Sequence, residues 1–400
     1  MREATVTAPW IEGLHANALR GTRCEEPGVT RARLQPRLRE FGITRVANVT
    51  GLDRIGIPVW MVIRPNSRSL SVSQGKGLTH DAAWVSGVME AIELWHAESP
   101  QLDLRLASRN ELAREGRVVD VDQLPVRPGT TVGEDMRLLW TTGVDLVSRR
   151  PVFVPYASVH VSAVPPFPPG DSCFIVTSNG LASGSVPPEA VMHALCELIE
   201  RDSLCRWRRR PPETKARSLV KLDTIDDAGA CTAISACGRA EFEILALDMT
   251  SEFGLPAVIC VLLDKKSSDD TLRGASMGFG CHFRRETAFI RALTEAAQSR
   301  LTLIAGSRDD LDRQDYESKR RHRDGIAWYQ RLLSEPQRVD FASLPDHRSE
   351  NFDCQLEIAL EGLKRAGFGE VVVVDLARPE TGLSVVRVIV PGLAVPDHAH

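Results

Sequence analysis

Apolar and polar positions along the chain follow two patterns, and each pattern predicts one kind of secondary structure. Short runs rich in β-branched residues predict strands at Val59–Ile63, Ala257–Leu263, Val371–Val374 and Val385–Val390. Longer stretches predict helices at Asp81–Glu98, Glu189–Trp207, Thr287–Ile304 and Phe352–Ala366. Because strands and helices are mixed over the whole length, the pattern indicates a mixed α/β (α+β) fold.

Three strand-like runs lead through small residues into a helix that carries paired polar groups. The small-residue stretches are Ser73–Gly77, Ser178–Gly184 and Gly278–Gly280. As loops, such stretches would let backbone amides approach an anion. The familiar nucleotide motifs do not fit: Gly77 follows Lys76 where a P-loop needs Ser or Thr, and a dinucleotide fingerprint would need a third glycine after Gly280. Any nucleotide is therefore expected to bind in an unconventional way.

The helices carry acids three residues apart, which places each pair on one helix face. The pairs are Glu90 and Glu93, Glu197 and Glu200, and Glu295 with the amide Gln298. Uncompensated buried acids cost several kcal/mol each, and no Lys or Arg lies one turn from Glu90 or Glu93. Oxygen ligands without His or Cys at metal spacing favour a hard ion such as Mg²⁺. The alternative is a solvated helix face, since Arg201 could pair with Glu197 one turn away.

Composition limits the function classes. The chain has 400 residues, 43% of them hydrophobic and 26% charged, which is typical of a globular protein with a sizeable core. A net charge of -4 disfavours nucleic acid as the main partner. No apolar stretch approaches the ~20 residues needed to cross a bilayer, and Met1–Trp10 lacks a signal-peptide core, so we expect a cytoplasmic protein. The nine cysteines form no CxxC pair and are interpreted as reduced core thiols.

In this order the motifs resemble the YcaO family of ATP-dependent enzymes that modify peptide backbone amides. Gly75–Gly77 with Glu90–Glu93 resembles the first block of the family, although Leu94 stands where Arg is frequent. Glu189 with Glu197–Arg201 resembles the central block, and Arg291 with Glu295–Gln298 the third. The resemblance implies an N-terminal extension over 1–20, one catalytic domain over 21–396, and helices packed on β-sheets.

The resemblance also implies roles for individual residues. Mg²⁺ on the ATP phosphates would be held by Glu90, Glu93, Glu197, Glu200, Glu295 and Gln298. The nucleotide would be contacted, or these acids braced, by Arg23, Thr30, Ser178, Asn179, Gly180, Ala182, Ser185, Glu189, Arg201 and Arg291. The catalytic pair would be Glu200 and Arg201.

In this family the amide oxygen is phosphorylated by ATP after a nucleophile adds to the carbonyl carbon. External sulfide gives a thioamide, whereas a neighbouring Cys, Ser or Thr gives an azoline ring. Ring-forming members usually end in a PxPxP tail, which the segment Pro391–His400 does not match, and Gly42–Pro58 resembles stand-alone members that work beside a TfuA-like partner. We therefore expect thioamidation of a peptide or protein substrate with a TfuA-like or leader-binding partner.

Two other functions stay open at this point. One is an azoline-forming cyclodehydratase, and the other is an ATP-binding regulator without a peptide substrate. The oligomeric state is open as well, with a homodimer as one option.

Overall fold

A computed structural model describes residues 23–266, 274–309, 327–335, 338–349 and 351–395. The predicted N-terminal extension over 1–20 and the final segment 396–400 lie outside these residues. All four predicted strands and all four predicted helices are confirmed, with ends displaced by at most two residues.

The described strands form three sheets. In the first, β1 (Arg45–Asn48), β2 (Val59–Ile63) and β3 (Val72–Lys76) are antiparallel neighbours in chain order. The second repeats this plan with β9 (Phe242–Asp248), β10 (Ala257–Asp264) and β11 (Ala275–Cys281).

The large sheet has the order β5-β7-β6-β12-β13-β8, and β4 pairs with β6. Its strands are β4 (Arg105–Ala107), β5 (Arg117–Val118), β6 (Leu138–Asp145), β7 (Arg150–Pro155), β8 (Leu181–Gly184), β12 (Val372–Asp375) and β13 (Ser384–Ile389). The β5–β7 pair is parallel and the other pairs are antiparallel.

Helices cover these sheets. They are α1 (Pro27–Leu34), α2 (His80–Glu98), α3 (Arg109–Ala113), α4 (Pro187–Arg209), α5 (Pro212–Ala216), α6 (Ala228–Arg239), α7 (Arg285–Ala305) and α8 (Phe352–Arg365). Local signals set several of their ends: the Thr79 side chain caps α2, two prolines begin α4, and Gly306 ends α7 at φ 57°.

Three helices follow directly on a strand and lie against it. Helix α2 packs on β3, α4 on β8, and α7 on β11. Their apolar faces are fully buried: Ile92 in α2, Ile199 in α4 and Leu293 in α7 are all 0% exposed. Burial of these faces fixes the rotation of each helix, so the acids three residues apart are presented to one region.

The cysteine and membrane expectations can be compared with this fold. All nine cysteines are free, but Cys231 and Cys354 are exposed rather than in the core. Within the ranges described here, no helix is both long enough and apolar enough to span a membrane.

Candidate functional site

The site is built by three strand–helix units, β3–α2, β8–α4 and β11–α7. In each unit a glycine of the strand lies against the backbone of the following helix. A Cβ atom on Gly75 would lie 2.1 Å from the Ala83 carbonyl oxygen, and one on Gly280 would lie 2.1 Å from the Ala288 carbonyl oxygen. A Cβ on Gly184 would lie 2.8 Å from the Ala190 nitrogen. Only glycine allows this close approach.

This arrangement corrects one sequence prediction. The stretches Ser73–Gly77 and Gly278–Gly280 were expected to be anion-binding loops, but they lie almost entirely in strands β3 and β11. Their small residues serve helix packing instead. In the third stretch, residues 178–180 form a turn in which Gly180 adopts φ 75°, and residues 181–184 form strand β8.

The first and third units correspond position by position, at a constant separation of 205 residues. The corresponding pairs are His80 and Arg285 at the helix starts, Gly75 and Gly280, Glu90 and Glu295, and Glu93 and Gln298. The recurrence of acids three residues apart therefore reflects a repeated structural unit.

Each unit is joined to the next by a hydrogen bond to one of the acids, so that the three units close a ring. The Ser183 hydroxyl and N–H of β8 donate to Glu93 of α2, at 2.5 and 2.9 Å. The Cys281 N–H of β11 donates to Glu200 of α4 at 2.9 Å. Lys76 of β3 donates through Nζ to Glu295 of α7 at 2.5 Å. The carboxylates consequently face a common interior.

The acids of this ring are crowded and poorly solvated. Burial, together with the negative charge of Glu197, raises the pKa of Glu90 to about 7 and that of Glu93 to about 8. Burial also raises the pKa of Glu200 to about 7. Carboxyls that resist ionisation in this way need a cation to become fully charged.

Positive side chains lie close to the acid cluster. Lys76 and Arg201 hold the pKa of Glu295 below its ordinary value, although burial opposes them. Arg201 Nη2 lies 4.0 Å from Glu197 Oε1. On helix α7, the Arg291 Nη2 group donates to His193 Nε2 on α4 at 3.1 Å.

Other predicted nucleotide contacts lie near Glu189 or Glu25. Arg23 lies near Glu189 and Arg291; burial lowers its pKa, the Glu189 charge raises it, and the Arg291 charge lowers it. The Ser185 N–H donates to Glu189 at 3.0 Å. Thr30 is buried in α1 and donates its hydroxyl to Glu25 at 2.6 Å.

The turn before β8 carries the remaining predicted contacts. The Ser178 carbonyl accepts from the Leu181 N–H at 2.9 Å, and the Asn179 N–H donates to Thr177 Oγ1 at 3.2 Å. Ala182 is 1% exposed and lies within β8 opposite Val386. The predicted roles of these residues and of Thr30 stay predictions.

Three side chains of the site were not predicted from the sequence. Lys76 joins the first and third units, and His193 lies one turn from both Glu189 and Glu197, a spacing visible in the sequence. Arg387 is buried in β13, where its Nε donates to the Ser158 carbonyl at 3.1 Å and its charge favours ionisation of Glu197. The sequence signal for Arg387 is its charge inside the otherwise apolar run of β13.

The donor set fits magnesium bound together with phosphate. Buried atoms without a partner among the described residues include Gln298 Oε1, Arg201 Nε and Arg291 Nε. In the same residues no group of three or more His, Cys, Asp or Glu side chains could hold a metal ion by itself. Magnesium typically takes one or two carboxylates and completes its shell with water and substrate phosphates, so such a group is not required.

Comparisons with known proteins identify the family of this chain. Residues 74–394 match the family model of the YcaO cyclodehydratases, described as ATP- and Mg²⁺-binding. The chain is 38% identical over 377 residues to an uncharacterised protein in the tfuA 3′ region of Rhizobium leguminosarum bv. trifolii, covering 93% of this chain and 89% of that protein. It is 36% identical over 396 residues to an uncharacterised protein of Methanothermobacter thermautotrophicus, covering 96% of each.

Solved structures share the fold. A heterocyclase in complex with substrate and cofactor superposes with a TM-score of 0.74 at 22% identity; 96% of this chain is covered, which spans only 55% of that protein. YcaO from Methanopyrus kandleri bound with AMPPCP and Mg²⁺ gives a TM-score of 0.71 at 24% identity and covers 94% of this chain and 93% of its own. The predicted α/β class with helices on sheets is thereby confirmed. The chain belongs to the YcaO family, whose model describes ATP and Mg²⁺ as its ligands.

Proposed function

We propose that this chain uses ATP and Mg²⁺ to phosphorylate the carbonyl oxygen of a backbone amide in a peptide or protein substrate. The observation that carries the proposal is the ring of acids on three helices, in which Glu90, Glu93 and Glu200 have raised pKa values. Such a cluster becomes fully charged only against added positive charge. Magnesium would supply that charge and neutralise the phosphates.

Different side chains of the site would bind the metal ions, bind the phosphates and keep the acids ionised. Mg²⁺ ions on the ATP phosphates would be held, directly or through water, by Glu90, Glu93, Glu197, Glu200, Glu295 and Gln298. Arg23, which lies near both Glu189 and Arg291, and Arg291 itself would contact phosphate oxygens. Arg201, next to Glu200 on the same helix, would keep the acid cluster ionised. In this assignment Glu200 and Arg201 are the catalytic pair.

For the product, we propose a thioamide formed with external sulfide beside a TfuA-like partner. The support is the relative in the tfuA 3′ region, which is 38% identical to this chain over nearly its whole length. The likeness to a heterocyclase supports the azoline alternative less, because at 22% identity it reports the fold.

The experiment combines the purified chain, a TfuA-like protein, Mg-ATP and sulfide with candidate precursor peptides. We expect a product that is heavier by the exchange of oxygen for sulfur and absent without sulfide or ATP. We also expect little conversion without the partner. Glu200→Gln should abolish conversion while the protein stays folded, because the substitution removes charge and keeps shape.

Each other result points to a different conclusion. A peptide that loses water independently of sulfide would replace thioamidation by azoline formation. Mg-ATP binding with no turnover of any peptide, partner present, would favour a regulator. Undiminished Mg-ATP affinity in both Glu93→Gln and Glu200→Gln would contradict the metal assignment itself.

A further inference from the structure

We propose that His193 is a positioning residue that holds the Arg291 guanidinium in place for the nucleotide. The inference rests on the proposed function, since it assumes that Arg291 contacts phosphate. Its basis is the 3.1 Å hydrogen bond between Arg291 Nη2 and His193 Nε2. Among the described residues, this is the one side-chain hydrogen bond of the Arg291 guanidinium, whose buried Nε has no partner there.

The bond joins two of the acid-bearing helices. His193 lies on α4, one turn after Glu189 and one turn before Glu197. Arg291 lies on α7, one turn before Glu295. A guanidinium tied to the neighbouring helix keeps its direction relative to the acids of both helices.

The geometry also fixes the chemical state of His193. Arginine stays protonated and can only donate, so Nε2 must accept with its lone pair and the imidazole must be neutral, with its proton on Nδ1. The surroundings favour that state, because burial and the charges of Arg291, Arg23 and Lys76 all lower the pKa of His193, as does His282. The acids on the same helix face are Glu189 and Glu197.

A neutral acceptor is useful at this position because the neighbouring cations repel each other. The Arg291 charge lowers the pKa of Arg23, which shows that the two guanidinium groups are close enough to interact. Carboxylates lie near each cation, Glu189 near Arg23 and Glu197 and Glu295 near Arg291. The bond to His193 holds Arg291 against this repulsion without adding a charge that phosphate binding would have to overcome.

The test measures MgAMPPCP binding by calorimetry in three variants. His193→Leu removes the acceptor at similar volume, and we expect about 10-fold weaker binding, in line with the loss of one hydrogen bond to a charged group. His193→Gln offers an amide oxygen and should retain affinity within about 3-fold. His347→Leu is the matched control, since His347 Nε2 bonds the Gly254 carbonyl at 2.9 Å with no part in this site.

A double-mutant cycle with Arg291→Gln decides whether His193 acts through Arg291. We expect His193→Leu to weaken binding in the wild-type background and to have almost no effect once Arg291 is Gln. An equal loss in both backgrounds, or equal affinity of His193→Leu and the wild type, would overturn the inference. If the wild type itself failed to bind MgAMPPCP, the proposed function would be the part that fails.

Discussion

Ser183 donates both its backbone N–H and its hydroxyl to a single oxygen of Glu93, at 2.9 and 2.5 Å. Glu93 belongs to α2, which packs on the first sheet, whereas Ser183 belongs to β8 of the large sheet. The orientation of this acid is therefore set by a different unit from the one that carries it. The same holds for Glu200, held by the Cys281 N–H.

Ser183→Ala should weaken MgAMPPCP binding by about 3- to 10-fold, because one hydrogen bond to the metal-binding form of Glu93 is lost. The Ser183 hydroxyl lowers the pKa of Glu93, which burial raises to about 8. Without it Glu93 deprotonates less readily, so the defect should be larger at pH 7 than at pH 9. Calorimetry at the two pH values checks this. Ser203→Ala, which removes a 2.8 Å contact to Ser251, should leave affinity unchanged.

The metal-free protein should lose stability as the pH rises from about 5 to about 9. Glu93 and Glu90 have pKa values near 8 and 7 in the fold and 4.5 when unperturbed. Over that interval the folded protein binds more protons than the unfolded chain, so the free energy of unfolding falls with rising pH. Thermal unfolding without Mg²⁺ measures the trend, and a melting temperature that rises over this range would contradict it.

Glu93→Gln should flatten that trend and stabilise the metal-free protein at pH 8 by about 1–2 kcal/mol, while weakening MgAMPPCP binding. Glu98→Gln, on the same helix, is the matched control with the opposite sign. Glu98 accepts from Arg64 at 2.7 Å, and although burial opposes them, Arg64, Ser67 and Ser69 hold its pKa low. Its neutralisation should destabilise the protein at neutral pH. Equal effects of the two substitutions would refute this distinction.

The helices, the strands and the acid pairs could be predicted from the sequence, because each depends on local periodicity. Ser73–Gly77 and Gly278–Gly280 were wrongly predicted to be loops, since small residues that allow a helix to pack closely have the same composition as a flexible turn. The partners of the acids were not predictable: Ser183 is 90 residues from Glu93, and sequence spacing holds no information on such pairs. The place of His193 in the site could have been predicted, because His193 shares a helix face with Glu189.

Gly280→Ala should destabilise the protein by about 1–3 kcal/mol and weaken nucleotide binding, because the new methyl group would push α7 away from β11. A Cβ there would lie 2.1 Å from the Ala288 carbonyl oxygen and 2.7 Å from the Ala292 nitrogen. Gly238→Ala is the control, since a Cβ in that part of α6 meets nothing within 4 Å. That change should be neutral or stabilise by about 0.5–1 kcal/mol. Urea unfolding of both variants, with MgAMPPCP titrations, tests the contrast.

Lys76 links the first and third units, because its Nζ on β3 donates a hydrogen bond to Glu295 of α7 at 2.5 Å. Both side chains are about one-fifth exposed, at 20% and 19%, so solvent screens the pair only in part. Lys76→Met should lower the free energy of unfolding at pH 7 by about 1–3 kcal/mol, since it leaves Glu295 charged and without this partner. The difference should shrink below the ordinary carboxyl pKa of 4.5, where Glu295 becomes protonated in the variant.

Nucleotide binding should fall in Lys76→Met as well, because Lys76 also favours ionisation of Glu90 and Glu200, both of which burial pushes toward the neutral form. Lys265→Met provides the control: the Lys265 pair with Glu243 has side chains 56% and 38% exposed and should contribute less than about 0.5 kcal/mol. Chemical unfolding at two pH values and MgAMPPCP calorimetry distinguish the variants. If both lysines proved equally dispensable, the ring would be held by packing of the glycine-bearing strands, and Lys76 would have no part in arranging the acids.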